Sequence, residues 1–264
     1  MIPSFTFKLL LAALTATAPV AANNPIVWDD FWQDGGKRAA MAAVPMYHFG
    51  APRGKTPCYP EDAEYNGVQV DGNDPGPGDY CTNLHKGCRS PGPLNGRNSP
   101  GAPFPVYYTI KECSGKVRVA YSIYFRHDSG HKSDWENVIV TWTGNGAGGW
   151  IREKIHLSFH GGWNVHNWGD IQNTVDGEAD KMTQDAKDRD HAKVYVGSFY
   201  HAIFHTRKTS LDTCSNRQEE FRSNDWQILP WGDLVKSGDA IKSEWTWGKA
   251  NTNPATLRDN LCEK

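Results

Sequence analysis

Val117-Arg118-Val119-Ala120-Tyr121-Ser122-Ile123-Tyr124-Phe125-Arg126 decides the fold class, because apolar and small or polar side chains alternate through it. That period of two is the mark of a half-buried β-strand. Asn137-Val138-Ile139-Val140-Thr141-Trp142 reads as a second strand, ended by Gly144-Asn145-Gly146. Lys154–Phe159 alternates again and stops at Gly161-Gly162, Lys193–Phe199 repeats the pattern, and Glu244–Trp247 reads as an edge strand. Helical patterning is weaker. It covers Asp29–Ala43 and Gly177–Lys187, and Asn251-Thr252-Asn253-Pro254 can open a short C-terminal helix with proline in its first turn. This set predicts a mainly β chain, a single β-sandwich with peripheral helices, without repeats or a second domain.

Residues 50–105 break the pattern. Gly72, Pro75, Gly76, Pro77, Gly78, Pro91, Gly92, Pro93, Pro100, Gly101, Pro103 and Pro105 crowd this stretch, and such a density excludes helices and central strands. It reads as a long surface insert, ordered by disulfides because it carries Cys58, Cys81 and Cys88. At the start of the chain, Lys8 precedes a short apolar run, and small residues continue to Ala22. The run is too short to span a bilayer and reads as a signal peptide over residues 1–22, leaving one domain over 23–264. An even count of six cysteines in a secreted chain reads as up to three disulfides, with pairing open. There is no C-x-x-C pair for zinc and no N-glycosylation sequon. A net charge of −2 argues against a nucleic-acid partner, and 11 Trp, 10 Tyr and 10 Phe argue against disorder.

The segment between the two strongest strands, Phe125 to Asn137, is dense in chemistry. Asp128, His131, Asp134 and Glu136 fall within nine residues. Three carboxylates and an imidazole at that spacing can converge on one divalent cation, Mg²⁺ or Ca²⁺ before zinc. If Trp135 lies in an extended run, Asp134 and Glu136 share a face and Trp135 points the other way, into the core. A solvated polar hairpin loop is the plain alternative.

Gly130-His131-Lys132-Ser133-Asp134-Trp135-Glu136 resembles the G-H-R-H-D-W-E heptapeptide of the necrosis- and ethylene-inducing-peptide-like proteins, with five of seven positions identical. The strand after it, the strand before it ending in Asp128, Ser158-Phe159-His160-Gly161-Gly162-Trp163, and the segments His191–Val196 and Tyr200–Phe204 are similar to the family's further motifs. The resemblance spans residues 117–205. It implies a secreted, virulence-type cytolysin with an actinoporin- or fungal-lectin-like β-sandwich. By resemblance, such a protein binds glycosylated inositol phosphoceramide head groups of plant plasma membranes through a divalent cation and permeabilises the bilayer. It would do so as a monomer in peripheral membrane contact, not as an enzyme. Carried over by position, Asp128, His131, Asp134 and Glu136 would hold or line the metal site, and His160 and His201 would border it. Two departures mark a divergent member: Ser133 replaces the second His of the heptapeptide, and Asp128 and His131 are only three apart.

The alternative function is a non-lytic, lectin-like effector that recognises a glycan or lipid head. A metal-dependent hydrolase with Asp134 or Glu136 as base and His131 as acid is a third reading, and the chain carries no G-x-S-x-G, H-E-x-x-H or phosphate-binding loop in its favour. His156 reads as structural. Trp28, Trp32, Trp142, Trp150, Trp245 and Trp247 read as core, while Trp163 and Trp168, in a Gly-rich polar stretch, are the expected membrane- or ligand-contacting pair.

Overall fold

The computed structural model describes residues 23–51, 56–75, 86–93, 100–176, 186–207, 226–228, 230 and 232–264. The expected signal peptide, Cys81, Cys214 and most of the Gly177–Lys187 helix lie outside them. The alternating stretch forms β6 (Lys116–His127), the centre of a sheet that also contains β1 (Ile26–Val27), β5 (Val106–Cys113), β7 (Lys132–Gly144), β8 (Gly149–Phe159), β9 (Gly162–Asn167) and β14 (Val235–Ser237). The order is β1-β8-β7-β6-β5-β14, with β9 also paired to β8. Two of its hairpins turn on two residues with positive φ, Ser114-Gly115 and His160-Gly161. That geometry matches the right-handed twist of the flanking strands. A second sheet contains β10 (Thr174–Val175), β11 (His191–Val196), β2 (Met46–Phe49), β12 (Ile203–Phe204) and β13 (Trp226–Ile228), with β2 parallel to β11. A hairpin of β3 (Glu64–Tyr65) and β4 (Val68–Gln69) stands apart.

The two sheets enclose one core. Val119, Tyr121 and Phe125 of β6 and Val138, Val140 and Trp142 of β7 meet Tyr47, Phe49, Val194 and Val196 from the second sheet. The first sheet is covered on its other face too. Ala120 and Ile139 pack under Leu257 and Leu261, and Tyr124 and Trp135 pack under Ile241 and Trp247. The middle even positions of β6 are therefore not solvent-facing: Ala120, Ser122 and Tyr124 are fully buried, while Lys116, Arg118 and Arg126 towards its ends are partly exposed. The alternation separates two buried faces, one rich in branched and aromatic residues and one with polar atoms that find partners. Ser122 Oγ, for instance, donates to Asn137 Oδ1 across the strand pair at 2.6 Å.

The first helical pattern becomes α1 (Trp28–Phe31) and α2 (Gln33–Ala43), with left-handed backbone at Asp34, Gly35 and Gly36. The C-terminal pattern becomes α3 (Pro254–Asn260), capped by Asn253, whose side chain accepts from the Ala255 and Thr256 amides at 3.1 and 3.2 Å. Glu244–Trp247 is not a strand. The free edge beside β5 is taken by β14 instead, and Trp247 turns inward onto Tyr124 and Trp135, ring centroids 5.0 and 5.2 Å away.

The Pro/Gly-rich stretch contributes to the core as well as to the surface. Cys58, Tyr59 and Phe104 belong to the main cluster. The Glu61 amide donates to Tyr124 O and the Asn73 amide to Arg126 O, so the stretch hydrogen-bonds to the end of β6. A disulfide joins Cys58 to Cys88, and a second joins Cys113 to Cys262.

Two buried histidines give the fold an acid limit. Burial, reinforced by nearby cationic side chains, holds His156 and His191 down to about 4. Both sit below the unfolded value near 6.5, so their stabilising contribution is complete above about pH 6.5 and is lost as pH falls through about 4. For His191 alone the shift corresponds to about 3 kcal/mol. The urea midpoint is therefore expected to fall steeply between about pH 6.5 and about pH 4, and His191→Asn should flatten that fall. An identical slope in the variant would rule His191 out as the cause.

Candidate metal centre

The turn between β6 and β7 is four residues, 128–131, so Asp134 and Glu136 belong to the strand itself and not to a loop. Asp128 organises the turn. Its Oδ1 accepts from the Gly130 and His131 amides at 2.7 and 2.6 Å. This folds His131 back over Asp128, with Nε2 3.4 Å from Oδ2. His131 Nδ1 donates to Ser133 O at 2.8 Å, so in the neutral ring Nε2 carries the lone pair. A lone pair facing a carboxylate oxygen makes a pair of donors that a cation can bridge.

Register supplies the second carboxylate. Asp134 pairs with Phe125 and Glu136 with Ile123, which puts both acids on the side of the sheet that carries the main core. Trp135 points the other way, against Tyr107, Tyr124 and Trp247, as an extended run requires. His201 Nδ1 donates to Asp134 Oδ2 at 2.7 Å, and its ring stacks on Phe125 at 4.0 Å. One ligand atom each from Asp128, His131 and Asp134 lies within 4.8 Å of the others. Burial, and then the Asp134 charge, push the Asp128 carboxyl above its ordinary value. Two carboxylates at that spacing repel by about 3 kcal/mol at an effective dielectric of about 20. A bound divalent cation would turn this repulsion into attraction, and oxygen donors beside one imidazole fit Mg²⁺ or Ca²⁺. The short Asp128–His131 spacing thus keeps Asp128 beside Asp134.

Glu136 stands outside this trio. It accepts from Ser158 Oγ and lines the same cavity, whose volume is about 510 Å³. His160 and Tyr200, with ring centroids 5.1 Å apart, and half-buried Trp163 also line it. Trp168 does not reach it. That residue is buried in the core, its Nε1 donating to Arg189 O at 2.9 Å, because its surroundings are β9 and a 3₁₀ turn and not an open loop. Trp28 and Trp32, expected in the core, are 49% and 42% exposed. C-terminal residues line it too: Lys249, Asn251, Thr252, Thr256, Asn260 and Lys264. No local motif marks those residues. They arrive through tertiary contacts such as Thr252 Oγ1 donating to Trp135 O and Asn137 Nδ2 to Thr252 O, both at 3.0 Å.

Ser133 does not line the cavity. It holds φ of +59°, is buried, and its hydroxyl lies 3.2 Å from Tyr124 OH. Gly72 packs onto it so closely that a Cβ at 72 would strike the Ser133 amide and hydroxyl and come within 2.5 Å of Arg126 O. Two of these are backbone atoms, which cannot swing aside. Gly72→Ala is expected to lower the unfolding free energy by about 1–3 kcal/mol, read from the urea midpoint; an unchanged midpoint would mean the strand end yields without cost.

The class this fold defines is the toxin fold of the necrosis- and ethylene-inducing-like proteins, reached here at low sequence identity. The crystal structure described as non-toxic HaNLP3 protein matches with a TM-score of 0.52 at 16% identity, covering 93% of this chain and 95% of its own. A triple mutant of NLPPya matches with a TM-score of 0.50 at 20% identity, covering 86% and 87%. NLPPya has also been solved with glucosamine, in a structure that matches at a TM-score of 0.49. No family model and no curated protein matches the chain.

Proposed function

We propose that this chain is a secreted, toxin-like effector that binds a divalent cation at Asp128, His131 and Asp134 and uses it to hold a glycosylated inositol phosphoceramide head group. The observation that carries the reading is the convergence of two buried carboxylates and an imidazole lone pair in the lining of a cavity large enough for a sugar. Each residue has a task. Asp128 and Asp134 would neutralise the cation and His131 Nε2 would be a third protein ligand, with Asp134 held in place by His201. Glu136, held by Ser158, faces the sugar hydroxyls. His160, Tyr200 and Trp163 supply the ring faces on which a sugar packs. The cation, when bound, supplies a Lewis-acidic point for hydroxyl or phosphate oxygens of the ligand. Disulfides accord with secretion, and residues 1–22 would direct it.

The non-lytic reading has its own support. A protein described as non-toxic shares this fold, so the fold does not by itself confer toxicity. With Trp168 buried, Trp163 remains of the expected contacting pair. Dye-loaded vesicles containing plant sphingolipids distinguish the two. Leakage that a chelator abolishes supports the cytolysin, and chelator-sensitive binding without leakage supports the lectin-like effector. No binding in either condition would overturn the proposal.

A further inference from the structure

His166 and His205 meet outside the cavity, and neither lines it. The two rings come from different sheets. His166 lies on β9 opposite Ile155 of β8, a residue of the main core, so its side chain stands on the side of the first sheet that faces the second. His205 follows β12 of the second sheet directly, and Phe204 before it packs edge-on against Phe159 of β8 at 5.8 Å. The imidazoles approach to 3.8 Å between centroids, with their planes tilted by 46°. Both residues are half-buried, and neither ring makes a hydrogen bond among the described residues. Burial pushes both rings below the ordinary histidine value, and His166 pushes His205 down further. Near neutral pH each ring is therefore neutral and carries one N–H and one lone pair.

We infer that His166 and His205 form a metal site separate from the acidic one, and that it takes a late first-row divalent ion such as Zn²⁺ or Cu²⁺. Neutral imidazole is a ligand that suits these ions, whereas the carboxylates at Asp128 and Asp134 suit Mg²⁺ or Ca²⁺. With the rings in contact, one nitrogen of each can converge on an ion at about 2.0–2.1 Å. Half-exposure leaves room for water in the remaining positions. The Asp170 charge, which already acts on His166, favours a cation there. A bound ion would tie β9 of the first sheet to the segment that ends at His205. That segment carries Tyr200, which lines the cavity, and His201, which holds Asp134. The site is thus a staple between the sheets, and it stands whether or not the acidic centre holds a cation.

Calorimetric titration of tag-free protein with Zn²⁺ tests this. The proteins compared are the wild type, His166→Gln, His205→Gln and an Asp128→Asn, Asp134→Asn double variant. Saturable binding is expected in the wild type and in the double variant, with affinity lower by about tenfold or more in each histidine variant, since losing even a supporting group costs a metal site about 10–100-fold. Zn²⁺ should also raise the urea midpoint of the wild type and leave those of the histidine variants in place, because an ion that binds the folded state stabilises it. Electron paramagnetic resonance of the Cu²⁺-loaded wild type needs no variant, and its spectrum should show coupling to two imidazole nitrogens. Equal Zn²⁺ affinity in the wild type and both histidine variants would overturn the inference. So would loss of Zn²⁺ binding in the double carboxylate variant, which would assign the ion to the acidic centre, or a Cu²⁺ spectrum without the two nitrogens.

Discussion

Trp142→Ala is expected to lower folding stability by about 3–5 kcal/mol, the range for emptying a fully buried Trp site. The ring sits where the layers meet. Phe31 of α1 packs edge-on at 5.2 Å, and the Arg152 guanidinium lies over it at 4.6 Å. Arg152 is itself buried and pulled down to about 10 by desolvation. It is held by Asp190 at 3.0 Å and by the Asn24 carbonyl at 2.9 Å. Removing the ring therefore opens a void and strips one face from a buried cation, so the loss should fall toward the upper end of the range. Urea unfolding checks it: the midpoint should drop with the slope unchanged. Trp28→Ala, at an exposed site, should shift stability by less than about 1 kcal/mol. Equal losses for the two would contradict this view of the core.

Asp134→Asn should abolish stabilisation by divalent cations while leaving the cation-free protein within about 1 kcal/mol of wild type. Two terms oppose in the absence of cation. Asn removes the repulsion with Asp128, and it exchanges a charge-assisted bond from His201 Nδ1, 2.7 Å long, for a neutral one. With cation the balance changes. Wild type should gain about 2.7 kcal/mol at a concentration about one hundred times the dissociation constant, and the variant should gain almost nothing. Thermal unfolding with Mg²⁺ or with a chelator reads both terms. A variant that still responds to Mg²⁺ as wild type does would place the cation elsewhere.

Much of this is legible along the chain. The alternation at 117–126 locates the central strand, and the pleat alone assigns Asp134 and Glu136 to one face and Trp135 to the other, because strand geometry is local. The Asn253-Pro254 helix start is legible for the same reason. Other features depend on distant partners. Trp28 and Trp168 exchange their expected environments because burial of an aromatic ring depends on what covers it. The Glu244–Trp247 segment has strand-like composition, yet it folds over Trp135 because the sheet edge it would join is already paired. Ser133, which replaces the second His of the heptapeptide, is a packing position against Gly72. The C-terminal stretch that lines the cavity, Lys249 to Lys264, carries a helix start but no pattern that marks it as part of a site, and it is joined to the site by a disulfide and hydrogen bonds between residues far apart in sequence.

Whether the end of the sandwich at Asp128 and Asp134 holds one divalent cation is open to direct measurement. Chelator-stripped protein would be titrated calorimetrically with Mg²⁺ and with Ca²⁺ near neutral pH, with an Asp128→Asn, Asp134→Asn double variant as the comparison. Saturable binding of about one ion per chain is expected in the wild type, and none in the folded double variant. Absence of binding in the wild type, or equal binding in both proteins, would contradict a cation site at these two carboxylates.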